Sequence, residues 1–311
     1  MFWGRAKLLK IQPFVKYFVR LRPLKVRVTR MLTINKINDL QRQVKEWKDQ
    51  SLTVGLVPTM GALHLGHISL IRRSLCDNDR TICSIFVNPT QFNNPKDLES
   101  YPVDIQGDLK MLQEEGCHLV FLPSREEMYP DGERRQKYQL GNTTKPMEGR
   151  FRPGHFQGVA TVVDRLFQIC SPDRAYFGEK DYQQLAVIRA MAQDVGHPIE
   201  IIGCPIIREN SGLAMSSRNR RLTKEQAEHA LLIHDSIQMV RQRYGKDDPE
   251  YLLEMVEDLF AADPIMELEY VEIADAQTLM PIRKFPHEGA ARIFIAAYAG
   301  EVRLIDNDEL Q

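Results

Sequence analysis

The chain has 311 residues, enough for one large domain or two ordinary ones with a substantial buried core. Hydrophobic residues make up 43% and charged residues 27%, the composition of an ordinary globular protein, and no apolar run nears the ~20 residues that span a bilayer. The net charge of -1 hides an asymmetry: residues 1–30 hold nine Lys or Arg and no acid, which leaves 32 basic against 42 acidic residues in the rest, a balance that argues against nucleic-acid binding through a general basic surface.

The basic N-terminal thirty residues admit three readings. An organelle transit peptide would be Arg-rich and acid-poor, but Ser is absent, and Pro13 and Pro23 interrupt any long helix. A basic membrane-surface helix is the second. The preferred one is an upstream extension, with Met31 as the natural start. Cysteines stand at 76, 83, 117, 170 and 204, an odd number with no C-x-x-C pair. That pattern favours reduced thiols in the cytoplasm over a disulfide framework or a zinc site.

From residue 31 onward, strand and helix patterns alternate. Strands are expected over Thr53–Val57, Thr81–Val87, His118–Leu122, Ala175–Phe177 and Glu200–Ile202. Helical periodicity falls between them, over Ile68–Cys76, Ile105–Glu115, Val159–Cys170 and Gln183–Val195. The alternation predicts an α/β fold with a parallel sheet and helices on both faces. After about residue 206 the pattern changes. A long helix is expected over Thr223–Arg243, with Thr223 as N-cap and Gln226 as its capping-box partner, then a second over Tyr251–Phe260. Strands at Leu268–Ile273, Arg292–Tyr298 and Val302–Ile305 follow, so residues 31–206 and 207–311 read as a larger and a smaller α+β domain.

Four segments carry chemistry. Pro58–His67 (P-T-M-G-A-L-H-L-G-H) joins the first strand to an amphipathic helix, so backbone N–H groups and the helix dipole meet at a point that attracts phosphate. Gly61, Ala62 and Gly66 let the backbone approach a ligand, and His64 and His67 can face it together. The metalloprotease pattern H-E-x-x-H is absent. Val87–Tyr101 begins where open α/β sheets place their ligands, and its Asn88 and Gln91 both donate and accept. In G-E-K-D-Y-Q-Q (Gly178–Gln184), Lys180 offers a charge for phosphate and Asp181 an acceptor for ribose hydroxyls. In Met215–Arg218 (M-S-S-R), two hydroxyls precede an Arg, a donor cluster for phosphate on a loop able to close over a nucleotide. Taken singly, each segment also reads as a plain turn or charged surface.

Together and in this order, the H-x-G-H loop and the distant Ser-rich basic loop resemble the nucleotidylyltransferase superfamily. The fuller strings resemble its pantoate–β-alanine ligase family: P-T-M-G-A-L-H-x-G-H, F-V-N-P-x-Q-F, E-G-R-F-R-P-G-H-F-Q-G-V (Glu148–Val159), F-G-E-K-D-x-Q-Q and L-A-M-S-S-R-N. The resemblance spans residues 31 to about 305. It implies a Rossmann-like doubly wound parallel sheet with a C-terminal lid, and a two-step reaction. Pantoate is adenylated by ATP with release of pyrophosphate, and the β-alanine amine then displaces AMP.

Carried over by position, the resemblance gives Met60, Gly61, Ala62, Leu63, His64, Leu65, Gly66 and His67 to the ATP loop, with His67 as proton donor. Gly178, Glu179, Lys180, Asp181, Ile207, Met215, Ser216, Ser217 and Arg218 complete the ATP site. Gln91 and Gln184 hold pantoate, Gln91 also lying near β-alanine, and Asn88 is an additional substrate contact. Mg²⁺ is expected on the triphosphate, with no protein ligand assigned, since Gly107 stands beside Asp108 where the family is more acidic. Leu65 likewise replaces an acidic residue. The expected assembly is a homodimer, without nucleic-acid or stable membrane partners. The competing readings are another nucleotidylyltransferase, which would not need Gln91 and Gln184 together, and a non-catalytic nucleotide sensor, which need not keep His64, His67, Lys180 and Ser216.

Overall fold

Six short strands form one parallel sheet: β1 (Leu32–Ile34), β2 (Val54–Thr59), β3 (Arg80–Ile85), β4 (Leu119–Phe121), β5 (Arg174–Gly178) and β6 (Glu200–Cys204). The computed structural model describes residues 30–92, 95–132, 136–285 and 290–310; the basic extension lies outside them. The strand order is β1-β4-β3-β2-β5-β6. The chain therefore leaves β2 in one direction for β3 and β4, then returns to the other side of β2 for β5 and β6. The gap between β2 and β5 is the topological switch point, where such sheets bind ligands.

Helices α1 (Ile37–Asp49), α2 (Leu65–Asp77), α3 (Pro95–Glu99), α4 (Ile105–Glu114), α5 (Arg125–Met128), α6 (Glu148–Phe151), α7 (His155–Cys170) and α8 (Tyr182–Val195) join the strands. Strand alternation sorts them onto two faces. Leu56, Ile82, Phe121 and Phe177 meet α1, α7 and α8 on one side, while Val57, Cys83, Val120 and Tyr176 meet α2 and α4 on the other. The sheet is thus covered on both faces, as the sequence predicts.

The switch point is opened by the strands themselves. Pairing between β2 and β5 ends at Leu56↔Ala175, although β2 continues to Thr59 and β5 to Gly178. Pro58 has no N–H with which to extend a ladder. The two C-terminal ends therefore diverge, and the loops that follow them enclose a cleft.

Beyond β6 come α9 (Lys224–His229), α10 (Leu231–Arg243), α11 (Pro249–Ala262) and an antiparallel sheet of β7 (Met266–Asp275), β8 (Ala291–Ala299) and β9 (Val302–Leu310). These build a separate core from Leu213, α10, α11 and the sheet. The Thr223–Gln226 capping box forms as expected. The single long helix expected over Thr223–Arg243 is broken at Ala230, which is fully buried, next to a His229 ring bonded to Asp263 at 2.8 Å. Strand β9 runs five residues past the expected end at Ile305, through D-N-D-E-L, because its polar residues have partners outside the sheet.

Gly158 on α7 shows how tightly the site-bearing turn Pro89–Gln91 is packed. A Cβ there would lie 2.4 Å from the Thr90 carbonyl oxygen and 3.1 Å from Gln91 Cα. Gly158→Ala is expected to destabilise the fold by about 2 kcal/mol, read as a lower urea midpoint at unchanged m-value.

Candidate active site

The turn after β2 is set by backbone geometry. Gly61 (φ 82°) and Ala62 (φ 49°) both take the left-handed region, a strained choice for Ala. What holds it is Asp108, at the start of α4. Its buried carboxylate accepts the N–H groups of Ala62 at 2.9 Å and Leu63 at 2.7 Å. Burial raises the Asp108 pKa, and these two N–H groups only partly oppose the rise. A Cβ on Gly61 would come within 3.0 Å of the same carboxylate, so the first residue of the turn must be Gly.

This turn feeds directly into α2, and the two histidines cap it. Gly66 donates its N–H to His64 Nδ1 at 3.1 Å, and His64 donates its own N–H to His67 Nδ1 at 3.3 Å. A nitrogen that accepts a hydrogen bond carries no proton, so each neutral ring keeps its hydrogen on Nε2. The rings stand 4.1 Å apart and tilted. Burial pushes the His64 pKa down to about 3, with His67 and Lys180 adding to the effect. Burial likewise pushes His67 down to about 4, assisted by Lys180 and Arg220. Both rings are therefore neutral Nε2–H donors at physiological pH, at the positive end of a helix.

Met60, His64, Gly66 and His67 line the cleft, whereas Gly61, Ala62 and Leu63 do not. Ala62 and Leu63 are fully buried beneath it, and Leu65 faces outward, 55% exposed. Opposite, Gly178 at the end of β5, and Lys180 and Asp181 just after it, line the cleft. The Lys180 ammonium makes no hydrogen bond among the described residues, its carboxylate neighbour Asp181 lying 3.8 Å away. Glu179 does not line the cleft. Its carbonyl and that of Lys180 accept bonds from Asn307 Nδ2 of β9, at 3.0 and 2.8 Å.

The third wall comes from beyond β6. Ile207, Met215, Ser216, Ser217 and Arg218 all line the cleft. Ser217 Oγ donates to the Ala62 carbonyl at 3.0 Å, and Arg220 donates to the Leu63 carbonyl at 2.8 Å. Arg218 bonds Asp97 of α3 at 2.8 Å, while its Nε is buried with no partner. The outcome is a pocket of donors: two imidazole N–H groups, an ammonium, a guanidinium and hydroxyls, arranged for an anion with many oxygens.

Gln91 and Gln184 line the other end, beside an apolar surface of Phe86, Val159, Val162, Val163, Leu166 and Phe177. Asn88 lies among them, but its amide is already engaged. It donates to Gln91 Oε1 and the Gly158 carbonyl, both at 3.3 Å, and accepts from Tyr129 OH at 2.8 Å. Asn88 thus orients Gln91 while itself lining the cleft.

Sequence reasoning missed Arg220, Tyr101, which also lines the cleft, and the valine wall, and gave no role to Arg152, His155 or Asn307. The signal for Arg152 and His155 was present in R-P-G-H-F; Asn307 had none, lying in a polar stretch past an expected strand end. As for metal, among the described residues no group of three His, Cys, Asp or Glu side chains could hold an ion. Asp108, the acid beside the loop, is engaged by backbone N–H groups through both oxygens.

The family model for pantoate-beta-alanine ligase matches residues 32–309. A pantothenate synthetase of Christiangramia forsetii is 46% identical over 86% of this chain and 95% of its own length. One from Bacteroides fragilis is 47% identical over 89% and 98%. Among solved structures, pantothenate synthetase from Thermus thermophilus superposes with a TM-score of 0.82 at 41% identity, covering 90% of this chain and 99% of the other. Pantoate-beta-alanine ligase from Francisella tularensis, complexed with Beta-gamma ATP and Beta-alanine, gives 0.74 at 38%, covering 89% and 97%.

Two outcomes are expected from the site alone. The histidine pKa values lie below the ordinary 6.5, so as pH falls below 6.5 the unfolded chain binds protons that the folded chain refuses. Stability without ligand should be flat above pH 6.5 and fall from there through pH 4 toward 3. His64→Gln/His67→Gln should make that fall shallower in urea titrations by up to two protons. Asp108→Ala frees two buried N–H groups and should destabilise the fold by about 2–4 kcal/mol; Asp108→Asn, which can still accept one of them, should lose less.

Proposed function

The chain belongs to the pantoate–β-alanine ligase family, and from that membership we propose how its residues divide the reaction. It is a carbon–nitrogen ligase that condenses pantoate with β-alanine in an ATP-dependent reaction. Two steps are proposed. A pantoate carboxylate oxygen attacks the α-phosphorus of ATP, and the bond to pyrophosphate breaks. The β-alanine amine then attacks the acyl carbon, AMP leaves with the C–O bonding pair, and the amine loses its proton. The first step answers a physical need, because a carboxylate oxygen is a poor leaving group and an adenylate is a good one.

The observation that carries this reading is one cleft with two unlike ends. One end gathers donors: His64, His67, Lys180, which has only a loose 3.8 Å contact with Asp181, and the unpartnered Nε of Arg218. That end suits a triphosphate. As the α-phosphorus to pyrophosphate bond breaks, charge grows on the leaving oxygens, and neutral Nε2–H donors already in place stabilise it without reorganising. His67 carries the larger catalytic share and His64 contacts ATP. Lys180 neutralises the α-phosphate, Asp181 accepts from ribose hydroxyls, and Gly178 and Glu179 supply backbone edges. Ser216 and Ser217 add hydroxyl donors, and Ile207 and Met215 give an apolar rim that suits a purine face.

The other end pairs two amides with an apolar wall. Pantoate has two hydroxyls, a carboxylate and a geminal dimethyl group; Gln91 and Gln184 match the first three and the valines the last. Met60–Gly66 complete the ATP loop, Gly61, Ala62, Leu63 and Leu65 through backbone and packing only. Mg²⁺ would neutralise phosphate charge while held mainly by the phosphates. Residues 207–311 act as a lid. Five free cysteines fit a reducing compartment, so the cytoplasm is assigned, and no described helix is long and apolar enough to cross a membrane. The assembly is a homodimer, which light scattering on eluting protein would check.

Two measurements test the scheme. ATP–pyrophosphate exchange should require pantoate but not β-alanine, while AMP should accumulate catalytically only with all three substrates; exchange that needs β-alanine would overturn the two-step order. His67→Ala should lower kcat by about 10²- to 10³-fold and change the ATP dissociation constant by only a few-fold. Equal losses in both would make His67 a binding residue.

A further inference from the structure

Lys180 brings a full charge into the cleft on a long, flexible stem. No described residue hydrogen-bonds its ammonium, and Asp181 lies 3.8 Å away. The direction in which it reaches is therefore set chiefly by its backbone, and the backbone is where the C-terminal sheet takes hold.

Asn307 of β9 donates through Nδ2 to the carbonyls of Glu179 and Lys180, at 3.0 and 2.8 Å. Those carbonyls belong to the peptide units on either side of the Lys180 Cα. Each unit is a rigid plane, so holding both fixes how the Lys180 side chain leaves the chain. Neither the turn Glu179–Asp181 nor α8 after it has a side-chain cap of its own at its start. Asn307 supplies the tie from outside.

The Asn307 amide is itself oriented. Its Oδ1 accepts from Arg292 Nη1 at 2.5 Å. Turned over, the amide would set its oxygen against two carbonyls and its nitrogen against a guanidinium. Arg292 is buried, with its guanidinium carbon 4.0 Å from the ring centroid of Tyr182, the first residue of α8. Tyr182 OH donates in turn to the Ala276 carbonyl, just past β7, at 3.1 Å. The preceding residue of β9, Asp306, takes two bonds from Arg208, at 2.5 and 3.1 Å. Arg208 pairs with Ala214, and the Met215 N–H donates to the Ile207 carbonyl at 2.9 Å, which makes the hairpin that delivers Met215–Arg218 to the cleft. Adjacent residues of one strand thus hold two separate loops of the cleft wall, although neither Asn307 nor Arg292 lines the cleft.

We propose that Asn307 is a positioning residue for Lys180: it aims the ammonium at phosphate through the two carbonyls, and with Asp306 it sets the spacing between the Lys180 turn and the M-S-S-R loop. The proposal rests on the reading that Lys180 neutralises the α-phosphate of ATP. It gives the C-terminal sheet a part in the reaction besides covering the cleft, because an error of about 1 Å in where a charge stands can cost a large share of the rate.

The test uses the full chain with Asn307→Asp, Asn307→Ala, Lys180→Ala and each Asn307 change combined with Lys180→Ala. Asn307→Asp keeps the shape and the Arg292 contact but sets an oxygen where the two donated hydrogens were; Asn307→Ala removes the donors without adding a charge. Asp308→Asn is the control in the same strand, since Asp308 bonds Arg241, at 2.9 Å. Rates are read as pantoate-dependent ATP–pyrophosphate exchange and as AMP formation with all three substrates, so the comparison stands whichever order the steps take. Urea midpoints report the fold. Both Asn307 variants should lose about 10- to 100-fold in kcat, and Asp308→Asn should stay within a few-fold of the unaltered chain. In the Lys180→Ala chain the Asn307 changes should cost little more, because an absent ammonium cannot be misaimed. Losses that multiply in the double variants, unaltered rates in the single Asn307 variants, or an equal loss in Asp308→Asn would overturn the proposal. So would loss of the folded state in both Asn307 variants, which would make Asn307 a support of the fold. Unaltered rates in Lys180→Ala would instead remove the reading of Lys180, and the proposal with it.

Discussion

The site depends on how two peptide units, those of Ala62 and Leu63, are tied down. Their N–H groups go to the Asp108 carboxylate on α4, and their carbonyls go to Ser217 and Arg220 beyond β6. A turn in a strained conformation is thereby fixed from both sides with its polar backbone groups satisfied, which a buried loop requires. The consequences spread outward. The turn sets the start of α2, which sets the capping bonds of His64 and His67, which in turn decide that each ring presents Nε2–H. The same two carbonyls hold Ser217 and Arg220 against the first half of the chain, so one turn supports both the histidine pair and the third wall of the cleft.

The second organising feature is electrostatic. The acids near the cleft are mostly taken: Asp108 by backbone N–H groups, Asp97 by Arg218 and Arg221, and Asp306 by Arg208. Lys180 keeps only a loose contact with Asp181. Glu148 shows the same design from the opposite direction. Burial would raise its pKa, but Arg303 and Arg152 outweigh that and hold it down to about 2. Potential near the histidine pair is therefore set mainly by cations and neutral donors, which favours an anionic ligand without a strongly basic surface. An acidic protein body with one focused anion site is consistent with both.

Much of this was legible in sequence because the information is local. The parallel sheet followed from apolar runs alternating with helical periodicity, and the place of the His64–His67 pair followed from a Gly-containing turn between a strand and a helix. What local reasoning misread has physical causes. The helix expected over Thr223–Arg243 has unbroken periodicity, and only the packing of Ala230 and the His229–Asp263 bond divide it. The end of β9 reads as a polar tail because Asp306 and Asn307 are there for Arg208 and for the Glu179 and Lys180 carbonyls, partners about a hundred residues or more away. The part Asn88 plays in orienting Gln91 was not legible in sequence. Its four partners are contributed by three different elements and could not be counted from the sequence.

The sequence by itself determined the alternation of strands and helices from β2 onward, though not β1 and α1, the Gly-containing turn of the Pro58–His67 loop, and which residue types could meet phosphate and amide-binding groups, because spacing and side-chain chemistry are local properties. The tertiary structure alone decided which nitrogen of each histidine carries its hydrogen, that Asp108 is a clamp for the loop, and that Arg152 and His155 meet at the Gln91 carbonyl. Those facts depend on distances between segments far apart in the chain, fixed only when the sheet diverges at its switch point and the second core closes over it.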